Sequence, residues 1–172
     1  MRLLRSTIHP SLPNLNGRVF HRDSVRAIVL RGEAILLLYT ERYDDYTLPG
    51  GGIDSGEERQ TALVRELKEE TGAQNIRDIE AFGHYQEFRP WHIEGYDLVQ
   101  MESYCYRCSI DEQLGPLQLE AHELANGMRP VWMNIYDAIA HNKQIMLASP
   151  KKGLSIERET FLLNMIATEL VS

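Results

Sequence analysis

Apolar residues recur at two periods along this chain, and the switches between them mark out its elements. In "SVRAIVLRGEAILLLYT" two runs rich in Val, Ile and Leu are separated by "RGE", which predicts a hairpin. "YTLPGG" follows as a short strand ended by a Pro-Gly breaker. "DIEAFGHYQEF" and "YDLVQMESYCYRCSI" predict two strands joined by a loop around "RPWHIEG", and "PVWM" predicts another short strand. Helical spacing takes over in three places. The first helix is predicted to start between Ser55 and Arg59, with Ser55 and Glu58 spaced for a capping box. It should stop near Thr71, because Gly72 suits a left-handed cap. The second helix starts at "NIYDAIAHN", with Asn134 as N-cap. The third, "SIERETFLLNMIATEL", carries Ile156, Phe161, Leu162, Met165 and Ile166 at helical spacing.

Residues 111–129 predict a long loop or broken segment. Residues 1–21, with Pro10, Pro13 and "NLNG", predict an extension that packs on the domain or stays loose. Residues 22–172 form the expected domain, including the C-terminal amphipathic helix. A chain of 172 residues accommodates one domain with a real core. Strands and helices mix without regular βα alternation. The expected class is therefore α/β with a mixed sheet flanked by helices, not a doubly wound parallel fold.

Charge narrows the partners. A net charge of −7 disfavours duplex nucleic acid, which needs a basic face to replace condensed counterions. A free nucleotide is a different case, because bound metal ions can reverse the local charge. No apolar run approaches the roughly 18 residues of a membrane helix. The start, "MRLLRSTIHPSLP", has arginines but no sustained apolar region, so no signal peptide and no membrane partner are expected. Cytoplasm is the default compartment. Cys105 and Cys108 have the spacing of half a zinc site, yet they sit three apart on a predicted strand and point to opposite faces. With no second cysteine pair, ordinary thiols are expected, at least one of them buried.

The unusual stretch is "LPGGGIDSGEERQTALVRELKEETGA", Leu48 to Ala73. At 100° per residue, Ala62, Arg65, Glu66, Glu69 and Glu70 share one arc, while Leu63, Val64 and Leu67 fall on another that must face the core. Glu66 lies i,i+3 from Glu69 and i,i+4 from Glu70, and like charges so spaced cost about 0.2–0.5 kcal/mol per pair. The helix macrodipole near the C-terminus adds about 0.3–1 kcal/mol of penalty per anion. Taken alone, the cluster reads as a solvated charged face with Arg65 and Lys68 in partial compensation. The other reading is a site for a divalent cation, Mg²⁺ or Mn²⁺, which want hard oxygen ligands.

From Gly51 the spacing is G-x5-E-x7-R-E-L-x-E-E-x-G-A, through Glu57, Arg65, Glu66, Leu67, Glu69, Glu70, Gly72 and Ala73. At every fixed position this resembles the box of the Nudix (MutT-type) hydrolases. The flanking hairpin, "LPGG", "VWM" and the helix after it extend the resemblance over residues 22–145. It implies an α/β/α sandwich around a mixed sheet. It also implies Mg²⁺- or Mn²⁺-dependent cleavage of a pyrophosphate bond in a nucleoside diphosphate linked to a group X, a class that includes nucleoside triphosphates, oxidised nucleotides and ADP-ribose. By the same resemblance Glu66, Glu69 and Glu70 are metal ligands, and the Gly51 carbonyl joins them in some members. Glu69 is the preferred base, Arg65 orients the acidic cluster, and Glu57 supports the loop–helix corner. On an ideal helix Glu57 lies opposite Glu66, so it approaches the site only if it precedes the helix. Some members recruit a further glutamate from a later loop; Glu120 and Glu123 are the candidates, with Glu123 preferred.

Substrate choice lies outside the box. Tyr43, Tyr46, Tyr85, Phe88, Trp91 and Tyr96 are candidates for stacking a base, although packing is the commoner use of aromatics, and Tyr46 and Leu48 are expected in the core. Arg89, Arg129, Lys151 and Lys152 either reach phosphates or are solvated, and His84 and His92 are expected at the surface or in packing. A homodimer is compatible with the sequence. The competing function is a Nudix-fold module that binds a nucleotide without cleaving it. Such modules usually lose acidic box residues, and here all are present.

Overall fold

Strict alternation in residues 25–37 buries both sides of the strands it builds. Val25, Ala27, Val29 and Leu36 enter one core, and Ile28, Ile35 and Leu37 enter another. In the computed structural model, which describes residues 1–172, the elements in chain order are β1 Leu3–Ile8, β2 Val19–Ile28, β3 Leu30–Arg31, β4 Ala34–Thr40, β5 Asp45–Thr47, α1 Arg59–Thr71, β6 Arg77–Pro90, β7 Leu98–Ser109, α2 Ala121–Ala125, β8 Met128–Asn134, α3 Ile135–Ala148 and α4 Ile156–Leu170. Leu63 and Leu67 of α1 fill the first core, while Ile135, Ala138, Leu162 and Ile166 of α3 and α4 fill the second. The expected α/β class with helices on both sides of mixed strands is therefore what the chain adopts.

One sheet runs β1-β6-β7-β2, with β1 parallel to β6, β6 antiparallel to β7, and β2 parallel to β7. The other is antiparallel and centres on β4, which pairs with β3, β5 and β8. Backbone bonds join the sheets: Leu36 donates to Val29, Ala27 to Pro49, Val25 to Gly51, and Ile53 to Asp23. The glycine-rich loop is thus zipped along the edge of β2 that β7 leaves open.

Several boundaries differ from the pattern reading. Residues 3–8 of the expected extension form the parallel strand β1, whose partner β6 lies about eighty residues away and leaves no local signal. In the expected hairpin, only Leu30 and Arg31 pair back on β4 as a strand, because the edge of β2 that β7 leaves open is taken up by the glycine-rich loop. The Ser55–Glu58 capping box does not form. Glu58 is the N-cap without a side-chain bond, and Asp54 to Glu57 turn back on themselves before α1 begins at Arg59. Gly72, with φ +73°, ends the helix as expected. Asn134 caps α3 by accepting from the Tyr136 and Asp137 amides. Strand β8 starts at Met128, inside the expected loop, and α2 is a single short helix within that loop. Cys105 and Cys108 are free, both buried, and enter opposite cores. Burial pushes their thiols up to about 12 and about 11.

Strand β5 is an edge, and side chains close it. The Asn142 amide of α3 accepts from the Tyr46 N–H at 3.0 Å and donates to the Tyr46 carbonyl at 2.8 Å. Glu159 of α4 accepts from the Leu48 N–H at 2.8 Å. Leu48 is fully buried and Tyr46 packs on the same core, as expected. Losing the fully buried Asn142 amide strands two backbone groups, each costing about 1–3 kcal/mol, so Asn142→Ala should destabilise the protein by about 2–4 kcal/mol. Urea denaturation against the exposed Leu147→Ala variant checks this; equal midpoints would refute it.

Candidate active site

The acidic half of α1 does not face open water. Glu66 and Glu70 are buried, and Ala62 on the same arc is a core residue, whereas Val64 is only half-buried. The division of the helix into a core arc and a polar arc is therefore corrected: the carboxylates sit in the middle of the buried face. They are tolerated there because the glycine loop packs against them. The Gly50 N–H donates to Glu70 Oε2 at 2.6 Å. At Gly51 a Cβ would lie 2.7 Å from the Glu66 carboxyl carbon, so no side chain fits.

Arg65 connects these parts. Its Nε and Nη2 donate to the two oxygens of Glu57, each at 2.9 Å. Nη1 donates to Glu66 at 2.8 Å and lies 3.5 Å from Glu69, and Nη2 also reaches the Gly52 carbonyl at 3.1 Å. Glu57 does lie in the loop before the helix. Its hydrogen bonds from Arg65 and from the Asp54 N–H hold its carboxyl down at about 2. Burial raises Glu66, against the pull of Arg65. Burial raises Glu70 far above the usual carboxylate range, with Glu66 and Glu123 adding to the rise and the Gly50 N–H and Arg26 opposing it.

The later loop is docked on the end of α1 by its backbone: Gln118 N–H donates to the Glu69 carbonyl, Gly115 to Gly72, and Asp111 to Gln74. This delivers Glu123, and oxygens of Glu66, Glu70 and Glu123 lie within 4.8 Å of one another. Glu123 also accepts from the Glu120 N–H at 2.8 Å, which fixes its direction. Glu120 lines the cleft but joins only a more exposed group with His122 and Glu123. Three crowded, mostly buried hard-oxygen ligands suit a divalent cation far better than they suit one another. The Gly51 carbonyl already accepts from Val25 N–H at 3.0 Å, which leaves one lone pair free. The surrounding cleft has a volume of about 890 Å³ and is also lined by Arg22, Arg26, Tyr43, Asp45, Lys152 and Arg158.

A family model for the NUDIX domain matches residues 20–152. The chain belongs to the NUDIX family. Among curated proteins it is similar to an RNA pyrophosphohydrolase of a Nitratiruptor species, 36% identical over 74 residues, which is 40% of this chain and 48% of that protein. Another, from Campylobacter jejuni subsp. doylei, is 33% identical over 90 residues, 49% of this chain and 56% of that one. The chain thus spans about half the length of these curated relatives. Among solved structures, a putative Nudix hydrolase family member from Chromobacterium violaceum superposes with a TM-score of 0.51 at 22% identity, over 86% of this chain and 77% of that one. A MutT protein from Bacillus halodurans gives 0.51 at 19% identity, over 69% and 72%. At these identities the structures speak for the fold.

Within this NUDIX fold the other sequence candidates disperse. Tyr85 is core, and Trp91 and Tyr96 pack on Phe20. Arg89 pairs with Glu87, Arg129 lies over the Tyr39 ring, and His84 pairs with Glu102. Tyr43 and Lys152 do line the cleft. The pattern reading missed Arg26, Asp45, Arg158 and Glu159. Glu159 carried a signal, since it falls on the apolar stripe of α4 between Ile156 and Leu162. Arg158 bridges Glu87 at 2.7 Å and Glu159 at 2.9 Å, and all three are buried.

Asp45 is 3% exposed and its Oδ1 has no partner. Burial first, then the neighbouring Glu159 and Asp44, push its carboxyl up to about 6. A carboxyl raised on folding contributes stability that is present below its unfolded value and lost as pH rises through about 6. Asp45→Asn should therefore unfold at higher temperature than wild type at pH 8, by a stability gain of up to about 2–3 kcal/mol that is roughly halved at pH 5 and lost below the ordinary carboxyl value. Thermal unfolding at the two pH values reads this, and a gain of equal size at both would count against it.

Proposed function

We propose that the chain is a divalent-cation-dependent pyrophosphohydrolase that cleaves a pyrophosphate bond in a nucleotide. Ordinary or oxidised nucleoside triphosphates rank ahead of ADP-ribose. The curated relatives named RNA pyrophosphohydrolase add an RNA carrying a pyrophosphate bond to the candidates. The observation that carries the reading is the convergence of Glu66, Glu70 and Glu123 in one cleft. All acidic box residues are present and gathered, which favours an enzyme over a module that only binds. No helix is long and apolar enough to cross a membrane. The cytoplasm is the compartment the reading carries, in keeping with two free thiols.

Glu66, Glu70 and Glu123 would hold Mg²⁺ or Mn²⁺, with Glu69 and the Gly51 carbonyl as further oxygen donors. A cation bound there neutralises phosphate charge and lowers the pKa of water. Glu69 is the carboxylate free to take a proton from the attacking water. Glu66 and Glu70 each accept a bond of 2.8 Å or less, whereas Glu69 has only Arg65 at 3.5 Å. Arg65 holds Glu66 in place and ties Glu57 to the helix. Arg26 donates to the Gly50 carbonyl at 2.9 Å and keeps the loop against Glu70.

Glu70→Gln keeps an oxygen for the Gly50 N–H and should leave the fold intact. It should weaken metal binding and lower turnover by about a hundredfold or more, beyond what loss of a merely supporting group does. A screen of nucleoside triphosphates, ADP-ribose and 5′-triphosphate RNA with Mg²⁺ and Mn²⁺, read as released phosphate, supplies the substrate. Unchanged activity and unchanged calorimetric metal affinity in the Gln variant would remove the assignment. Turnover of ADP-ribose far above every triphosphate would reverse the substrate ranking.

A further inference from the structure

Beyond the glutamates the cleft continues onto β4, β5 and β8, and its chemistry changes. The four apolar residues that line the cleft are Leu38, Tyr43, Met128 and Leu154. Strand register gathers them around Asp45. Thr40 pairs with Asp45 on one side and with Met128 on the other, and Leu38 is the next residue of β4 on the same face. Tyr43 lies in the turn between β4 and β5, and Gly153, beside Leu154, sits against its ring.

On this apolar floor Asp45 is a buried carboxylate whose Oδ1 has no hydrogen-bond partner. Near it, Arg158 is already engaged with Glu87 and Glu159, and the His141 ring lies against Asp44. Its backbone pairing with Thr40 would form with any strand residue in its place. An unmatched buried acceptor is destabilising, so the fold alone gives no reason for a carboxylate here.

We propose, resting on the nucleotide reading above, that Asp45 accepts N–H groups from the edge of the nucleobase, and that the edge it takes is guanine-like. Phosphates cannot sit against it, because like charges repel. A flat ring suits the apolar walls, and a convergent polar group fixes its orientation. Two carboxylate oxygens match two adjacent donors, and guanine presents ring N1–H beside its 2-amino group. Adenine presents an amino group beside a ring acceptor, so one carboxylate oxygen would face a lone pair. Burial makes the discrimination sharp, since a mismatched ligand leaves the carboxylate unpaired.

The test is calorimetric binding of GDP and IDP with Mg²⁺ to wild type, Asp45→Asn and Asp45→Ala, with dGDP as a third ligand. Inosine lacks only the 2-amino group. Wild type should bind GDP about ten- to a hundredfold tighter than IDP, the range of a good bidentate contact. In both variants the two ligands should bind alike, because Asn turns an N–H₂ toward the base and Ala offers nothing. Both variants remove an unpartnered charge, and thermal unfolding verifies that they fold. Equal affinities in wild type, or the same ratio in all three proteins, overturns the proposal. A ratio that changes only between GDP and dGDP assigns Asp45 to the ribose and overturns it too. Turnover is scored separately in the substrate screen: selective binding with no hydrolysis of any screened compound removes the hydrolase reading and keeps this one, and hydrolysis there with a flat ratio here does the reverse. A protein that binds none of the three ligands removes this proposal and leaves the hydrolase reading to the substrate screen.

Discussion

The guanidinium of Arg65 is the constraint on which the acidic site rests. Four carboxylates, Asp54, Glu57, Glu66 and Glu69, lie within 4 Å of it, and it also holds the Gly52 carbonyl. A planar fork with five donors can serve a bidentate carboxylate and still reach a second side chain, which a lysine ammonium cannot do with the same geometry. Its hydrogen bonds to Glu57 and Glu66 raise it well above the ordinary arginine range despite its partial burial, so its charge is constant. Its bonds to Glu57 and Gly52 cross from α1 to the glycine loop and the turn after it. The same contacts that compensate the charge therefore set the distance between helix and loop. Glu70, one turn on, completes that docking through the Gly50 N–H.

A second buried ionic layer holds the loop from the other side. Arg158 pairs with Glu87 of β6 and with Glu159, and Glu159 in turn accepts from Leu48 N–H just before the box. Burial pushes Glu87 up, but Arg158 and Arg89 outweigh it and hold the carboxyl below its ordinary value. Buried ion pairs are often no more stabilising than apolar residues of equal size. Their use here is positional. They tie α4 to an edge strand and to β6 at once, and an apolar α4 could not accept from the Leu48 amide.

How much of this was legible in the sequence follows from the range of each signal. Gly51, Glu57, Arg65, Glu66, Glu69 and Glu70 could be read because they occupy one continuous segment with fixed spacing. Cys105 and Cys108 could be placed on opposite faces because strand period is local. Strand β1 could not, since its pairing with β6 depends on residues far along the chain. The helix start at Arg59 falls within the expected window, but its cap was misread for a different reason. Ser55 and Glu58 satisfy a capping pattern, but Glu57 is claimed by Arg65, and the bidentate ion pair decides where the turn ends. Glu123 was legible only as one of two candidates, because loop docking through Gln118 and Gly115 selects between them.

The two carboxylates that burial raises most in this cleft have different charged neighbours. Glu70 has Glu66, Glu123 and Arg26; Asp45 has Glu159, Asp44, His141 and Arg158. Their unfavourable burial is therefore nearly additive and cannot be relieved by one cation. Neither needs a charge for the fold: an amide at position 70 would still accept from the Gly50 N–H, and Asp45 Oδ1 has no partner at all. Retaining both demands two separate sources of relief. For Glu70 the proposed source is charge, because a cation could be shared with Glu66 and Glu123. For Asp45, whose neighbour Arg158 is already paired, the proposed source is a neutral donor. A nucleotide carries these two chemistries at its two ends, phosphates with their cation and a base with its N–H edge. The separation of the two strained carboxylates within one cleft is thus a physical argument for the orientation of the ligand as well as for its class.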